Sequence, residues 1–357
     1  MSPTSHRSAV KLVIGPDNTA GQAFRWAESC RTYEGVESVS FAGSRRRARR
    51  IDGPSHRRAL HYRVRPTLLK TTWARLLLRN ATHFLNESFS TITGDRRTES
   101  LNRDLPWLRD VGISVGVLFH GSDIRSPSRH MDSQPSSYFR IMEPQMVSSL
   151  EESTSRNRQL ARESGLPLFV STPDLLLDLP EATWLPVAAD LLAWHSTTAA
   201  FVARPLRVLH VPSRRIPPIK GTSFIDPVLA RLAAEGLVEY VSPEGTPHEQ
   251  MPELVRSVDV VIDQVLSGSY GVAAVEAMAA ARLVIGNLGL DVRAAVDRPI
   301  PIVDCAPAEL EGLVRDIAAD PVRFASTAEE GPAFVESFHS GARSARSLVR
   351  WLDGARG

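Results

Sequence analysis

Two parallel α/β units in tandem are what this 357-residue sequence predicts, on three observations. Short apolar strands alternate with helical stretches through both halves, which is the pattern of parallel sheets flanked by helices. The pattern restarts at Leu206, after a run of small and polar residues from Ala188 to Pro205. The chain is also too long for one average domain, and its 43% hydrophobic content is enough for two ordinary cores. Each unit is therefore read as a doubly wound sheet, with the hinge in Ala188 to Pro205.

In the first unit, Lys11 to Gly15 reads as the opening strand and Gly21 to Cys30 as its helix. Further strands are expected at Val36 to Phe41, Leu60 to Val64, His83 to Leu85, Ile113 to Phe119, Pro167 to Ser171 and Trp184 to Val187. The second unit opens with a strand at Leu206 to His210, then a helix at Asp226 to Ala234, a strand at Leu237 to Val241 and a helix at His248 to Ser257. These lead into Asp259 to Gly286, where β-branched Val260, Val261 and Ile262 form a buried strand, Ser267 to Gly271 a turn of small residues, and Val272 to Ala281 a helix. A helix opening from such a turn presents unpaired N–H groups and the positive end of a dipole, which suits a phosphate. Glu276 lies about a turn and a half into it, where a carboxylate can accept hydrogen bonds from ribose hydroxyls or simply be solvated. Ser44 to Arg58, with seven arginines against Asp52, and the Ser-, Pro- and Arg-containing Ser122 to Ser137 read as irregular.

Charge is unevenly spread. Residues 1–195 carry 26 Lys and Arg against 20 Asp and Glu, and the remainder 16 against 20. Aromatic interleaving is absent from the basic run, so nucleic-acid binding is disfavoured, and contact with an anionic membrane or anionic acceptor through Arg45 to Arg58 competes with a solvated loop. Only Cys30 and Cys305 occur, with no CxxC pair and no histidines at metal-ligand spacing, so neither a disulfide framework nor a zinc site is implied. No apolar run approaches the roughly 18 residues of a spanning helix. A cytoplasmic protein, peripheral at the inner face of the membrane if the arginines engage it, is the expectation.

Three loops at the carboxyl ends of predicted strands, where ligands of open α/β sheets collect, carry the candidate chemistry. Gly15 to Gln22, GPDNTAGQ, is not GxGxxG and lacks a suitably placed ribose acid, which disfavours a nicotinamide; Asn18 and Gln22 either bind a polar acceptor or cap the helix. His120, Asp123 and Arg125 bring an imidazole, a carboxylate and a guanidinium to one edge, with a structural Asp123–Arg125 network as the alternative. Arg215 and Lys220 follow the strand that opens the second unit and can neutralise a diphosphate leaving group.

Together HVPSRR, KG, a strand ending in DQ, and SGSYGVAAVEAMA resemble the donor half of retaining glycosyltransferases of the GT-B fold, group 1 or family 4-like. GPDNTAGQAFRWA, LFHGSDIRSP, WLPVAAD and the tail FVESFHSGARSARSLVRWL extend the resemblance over most of the chain. It implies two Rossmann-like domains facing across a cleft: an acceptor domain at 1–195, a nucleotide-sugar donor domain at 196–335 and a closing helix at 336–357 that packs back on the first. It further implies transfer of a hexose-type sugar from a nucleoside diphosphate sugar to a hydroxyl of a glycan, a lipid-linked or a small-molecule acceptor, without metal or other cofactor. By the same resemblance Arg215, Lys220, Gly221, Tyr270, Gly271 and Glu276 serve the donor, His120 and Asp123 the chemistry, and Asn18, Gln22 and Arg125 the acceptor. Many relatives place a second acid eight residues before Glu276, where this chain has Gly268; a branch with DQ and GxYG resembles it better. Ala281 and Leu283 stand where Gly and Pro are usual, which should alter the turn leaving the helix. A binding protein without turnover and, more distantly, a nucleotide-sugar epimerase are the rival readings.

Overall fold

The computed structural model describes residues 9–33, 35–43, 56–58, 67–202, 204–212, 219–243 and 245–354. Seven parallel strands form the first sheet: β1 Val10–Gly15, β2 Val36–Ala42, β3 His56–Arg58, β4 His83–Glu87, β5 Ser114–Phe119, β6 Leu168–Val170 and β7 Thr183–Trp184, in the order β3-β2-β1-β4-β5-β6-β7. Five more form the second: β8 Leu206–Leu209, β9 Val238–Val241, β10 Val260–Ile262, β11 Leu283–Gly286 and β12 Val303–Asp304, in the order β12-β11-β10-β8-β9. Every pairing is parallel, as the alternation of strands and helices predicts. In both sheets the order reverses beside the opening strand, β1 or β8, which creates a crevice at the carboxyl ends of the strands.

The Leu60 to Val64 strand lies outside the described residues, as do Arg45 to Arg50. The end of the Arg-rich run pairs with β2 as the edge strand β3. The expected strand Trp184 to Val187 ends at Trp184, because the chain turns there to feed the hinge: Trp26 Nε1 and Ser344 Oγ both donate to Pro186 O, at 2.7 Å each. Ser122 to Ser137 is a clear correction. It contains the helix Pro127–Ser133, whose N-terminus is capped by Ser126 Oγ accepting from Arg129 N–H, with Pro127 at the first helical position. Its polar composition hides that capping pattern.

Three apolar clusters explain how the halves hold together. One face of the first sheet packs on its own helices through Phe84, Leu108, Val117 and Leu175. A second cluster runs from β1 and the helix Gln22–Cys30, through Leu185 and Val187, into the helix Val272–Ala279 of the other half, bridged by Phe334, Phe338, Leu348 and Leu352. These last four belong to the helices Val322–His339 and Ala342–Gly354, and the final helix returns to the first sheet: Trp351 Nε1 donates to Ser114 Oγ at 2.9 Å, at the start of β5. The third cluster is the core of the second half, and Tyr138, Phe139 and Met142 of the first half are buried in it. No described helix is long and apolar enough to cross a membrane.

Candidate functional site

The carboxyl ends of β1, β4 and β5 form the ligand-facing edge of the first half. Glu87, the last residue of β4, is fully buried there. Its Oε2 accepts the backbone N–H groups of Asp17 and Asn18, at 2.6 and 2.7 Å, so one carboxylate oxygen organises the loop after β1. Its Oε1 lies 3.0 Å from His120 Nε2, and the His120 ring stacks on buried Trp26 with centroids 5.9 Å apart. Arg96 fixes the same loop from outside, through a 2.6 Å ion pair with Asp17. His120, expected on this edge, is there with a side chain one-tenth exposed; Glu87, which the sequence reading misses, is its partner. The available signal is an acid closing an otherwise apolar strand.

The structure gives the other residues of this edge different tasks. Asp123 accepts from the backbone N–H groups of His120 and Gly121 and from Ser88 Oγ, at 2.7 to 3.0 Å, so its carboxylate holds the turn after β5, as in the structural alternative. Gln22 is buried and clamps the hinge: Oε1 accepts Ala188 N–H at 2.7 Å and Nε2 donates to Ala188 O at 3.1 Å. Both ends of its amide are thus engaged with one hinge residue. Arg125 donates from Nε and Nη2 to Asp174 Oδ2, at 3.0 and 2.5 Å, and its Nη1 is 3.3 Å from the Tyr138 hydroxyl. Burial alone would raise the Asp174 carboxyl, but the charge and hydrogen bonds of Arg125 outweigh it and hold the acid below its usual range. Arg125 is thus a structural cation. Asn18 keeps ligand-binding capacity: its Oδ1 accepts Phe24 N–H at 3.2 Å, while its buried Nδ2 has no partner among the described residues.

The edge of the second half is built at the ends of β8 and β10. Gly221, with φ of +85°, ends the loop after β8 and starts the helix Thr222–Ala234; a side chain there would meet Val265 Cγ2 at 2.5 Å, so glycine lets the two loops touch. That contact places Lys220 beside Asp263, the residue after β10, with Nζ 2.7 Å from Oδ1. Asp263 Oδ2 in turn accepts Gly271 N–H at 3.0 Å, at the start of the helix Val272–Ala279. The basic group and one of the helix-start amides thus already share an internal carboxylate, which sequence spacing does not reveal. Arg215 lies outside the described residues.

Glu276 is on the cleft side of that helix, with Oε1 3.5 Å from His248 Nε2. Burial raises its carboxyl above the ordinary range, against the opposing pull of His248, Lys220 and, from the first half, Arg25. The Tyr270 side chain is buried behind the turn, with the hydroxyl 3.2 Å from His339 Nε2 and the ring edge-on to His339, which leaves its backbone to the turn. His339 donates from Nδ1 to Val187 O at 2.8 Å, which ties this turn to the segment entering the hinge.

The two edges meet directly at the β5 side. His130 Nε2 donates to Ser267 O at 3.0 Å, Tyr138 N–H to Leu266 O at 3.2 Å, and Gln134 Nε2 lies 3.4 Å from Asp291 Oδ1. Gln134 fills the space beside Gly268: a side chain on Gly268 would collide with the Gln134 amide. At the far end of the helix Ala281 takes φ of +54°, so the exit turn keeps a left-handed residue although no glycine supplies it.

No protein family and no curated protein sequence matches the chain. Solved structures do. Sucrose-phosphate synthase from Thermosynechococcus elongatus superposes with a TM-score of 0.65 at 14% identity, covering 97% of this chain and 100% of that one. HepE from Anabaena, solved with UDP and glucose, gives 0.61 at 11% identity over 97% and 99% of the two chains. A glycosyltransferase from Rickettsia africae gives 0.61 at 13% over 98% and 99%. At these identities the likeness speaks for architecture, and with the two parallel sheets and the returning C-terminal helix it identifies the fold as GT-B.

Proposed function

We infer that the protein is a glycosyltransferase that moves a hexose-type sugar from a nucleoside diphosphate sugar to an acceptor hydroxyl, with retention and without a metal ion. The observation that carries this reading is the pairing of Lys220 and Glu276 at one edge, a cation and an acid on either side of the helix start at Gly271. In this reading Lys220 and Arg215 meet the diphosphate, together with the helix dipole and the amides beyond Gly271, and Glu276 accepts from the ribose. Lys220 is 17% exposed, so its ammonium can contact a phosphate without leaving Asp263. HepE, which shares the fold, was solved with UDP and glucose, a donor chemistry that fits this edge. The acceptor would enter over the Asn18 loop of the first half. Arg45 to Arg58, with exposed Leu69 and Leu76 on the helix Thr67–Leu78, would rest on an anionic membrane.

A panel of nucleoside diphosphate sugars tests the assignment, scored by thermal shift and then by nucleotide release with and without acceptors. Stabilisation with acceptor-dependent release is the expected result; no stabilisation by any donor overturns it. Gln134, occupying the space at Gly268, favours a second reading in which donor binds and is not consumed. Stabilisation without release across all acceptors would select that reading. Binding to anionic vesicles that survives charge reversal of the arginines would remove the membrane contact.

A further inference from the structure

Residues 126–142 follow β5 in the first half and end in the core of the second, where Tyr138, Phe139 and Met142 are buried. On the way they meet the turn at 267–271, whose last residue, Gly271, caps the helix Val272–Ala279. Each carbonyl from Leu266 to Ser269 accepts a hydrogen bond, and the first two are served from the other half: Leu266 O by Tyr138 N–H at 3.2 Å and Ser267 O by His130 Nε2 at 3.0 Å. The next two are served within the second half, Gly268 O by Gly289 N–H at 2.7 Å and Ser269 O by Gln264 Nε2 at 2.7 Å. The Gln134 amide lies against both Gly268 and Gly289, and a side chain on either glycine would collide with it. It is a spacer between the turn and the segment after β11.

The donors on the first half are themselves fixed. Ser137 Oγ donates to His130 Nδ1 at 2.7 Å, which leaves the ring proton on Nε2, facing Ser267 O. Gln134 N–H donates to His130 O at 2.9 Å and Ser137 N–H to Gln134 O at 3.0 Å, so both side chains stand on one short, bonded stretch of backbone. The His130 ring packs against Tyr138 and Phe139, with centroids 5.1 and 5.4 Å apart. A preorganised segment of one half therefore sets the backbone of a turn in the other. With the halves apart, Leu266 O and Ser267 O would lose these donors and the space against Gly268 would open. The amides that follow, at the helix start, are the ones that meet a diphosphate in the transferase reading.

We propose that His130 and Gln134 are positioning residues that act across the cleft through the backbone of this turn, so that the helix start is shaped for a nucleoside diphosphate only while residues 126–142 are docked. The ligand in this proposal rests on the transferase reading; the shaping of the turn does not. Linkage makes the effect reciprocal: the factor by which docking raises nucleotide affinity is the factor by which bound nucleotide favours docking. Tyr138 N–H, bonded across to Leu266 O, reports on docking directly.

Amide hydrogen exchange read at single residues tests both parts. Gln134→Ala and His130→Ala should each speed exchange at the amides of residues 268–273 by at least about tenfold, with β8 and β9 unchanged. His130→Gln, which returns an N–H donor near the position of Nε2, should restore the wild-type rates. Unchanged rates in the turn, or the same acceleration in β8 and β9, overturn the shaping. With the nucleoside diphosphate of the donor found by the panel, exchange at Tyr138 N–H in the wild type should slow by at least about tenfold, and affinity should fall by a similar factor in Gln134→Ala. No slowing at Tyr138 overturns the link to the nucleotide, and this measurement decides even where a variant folds poorly. Tighter binding in Gln134→Ala would overturn it too, because the amide would then obstruct the site. A panel without a binder takes the ligand half down with the transferase reading, while exchange in the turn still decides the rest.

Discussion

The two ligand-facing edges use the same residue types and arrange them oppositely. Each has a histidine directly after a strand, His120 after β5 and His210 after β8, and each has a buried acid after or at the end of a neighbouring strand, Glu87 and Asp263. In the first half the acid and the histidine hold each other, 3.0 Å apart. In the second half they are held separately: Asp263 by Lys220 and Gly271 N–H, His210 by donating from Nδ1 to Ile262 O at 2.8 Å while Nε2 accepts from Thr222 Oγ1 at 3.0 Å. The first arrangement holds a ring between a buried acid and the face of Trp26. The second stores a cation beside a helix start and locks its histidine into the core as a neutral post. Chemistry follows from the partner and not from the residue type.

The largest test of that comparison is Lys220→Ala. It should lower donor turnover by about a hundredfold or more if the ammonium meets the leaving group. Because Asp263 is only 1% exposed, the same change strands a buried carboxylate and should cost about 3 kcal/mol in stability, so the variant is not a clean loss of function. Lys220→Ala combined with Asp263→Asn separates the two effects: denaturant melts should recover while turnover should not. A double variant no more stable than Lys220→Ala would show that Asp263 does not depend on the lysine.

This pairing also marks where sequence reading succeeds and stops. Parallel order and the Glu276 helix are legible because each rests on contiguous pattern, an apolar strand followed by a small-residue turn and a strong helix. The placement of Lys220 in the loop after β8 and of Glu276 on its helix is legible for the same reason. Glu87 is not, because its partners Asp17, Asn18 and His120 are 70, 69 and 33 residues away, and no local spacing encodes them. For Asp123, Arg125 and Gln22 the sequence leaves ligand and structural roles open, and the structure adds the partners that polarity alone does not name: a turn, Asp174 and Ala188. Ser122 to Ser137 reads as a loop because its anchors, Tyr138 and Phe139, are buried in the core of the other half.

His210 gives the next largest effect and the pH signature of a structural histidine. Burial, chiefly, lowers its pKa to about 4, with Lys220 pushing the same way and the hydrogen bond to Ile262 opposing. The folded protein therefore binds fewer protons than the unfolded chain between about pH 6.5 and 4, and stability is lost as pH falls through that window. On the order of 3 kcal/mol is at stake for this ring, and His130 and His339, also lowered to about 4 by burial, add losses of the same sign. Chemical denaturation from pH 7 to 4 should show a shallower loss in His210→Gln than in wild type. An unchanged slope would mean that the ring already carries its proton in the folded state and that the contrast with His120 fails.

Glu276 should show a dependence of the opposite sign. Burial raises its carboxyl, so the folded state holds that proton more tightly than the unfolded chain. Its contribution is most favourable at low pH and declines as pH rises above the ordinary carboxylate range. Glu276→Gln should accordingly gain stability relative to wild type as pH rises from 4 to 8 while losing donor affinity, by about tenfold to a hundredfold if the carboxylate holds the ribose. A stability gain with unchanged affinity would remove Glu276 from the donor site.

The smallest effects flank that helix, where two residues share a left-handed backbone for different reasons. Gly268, at φ +63°, combines that conformation with a crowded neighbour, since any side chain meets the end of Gln134. Ala281, at +54°, bears the same conformational cost with a methyl group in place. A left-handed non-glycine residue costs about 1 to 2 kcal/mol, part of which glycine gives back through the greater freedom of the unfolded chain. Ala281→Gly should therefore stabilise by up to about 1 kcal/mol with no change in donor binding. Gly268→Ala should destabilise by about 1 to 2 kcal/mol, and Gln134→Ala in the same chain should relieve only the steric share. Were Gly268→Ala neutral, the Gln134 contact would be loose enough to open, and the bonds of His130 and Tyr138 to Ser267 O and Leu266 O would carry more of the closure at the edge of the second half.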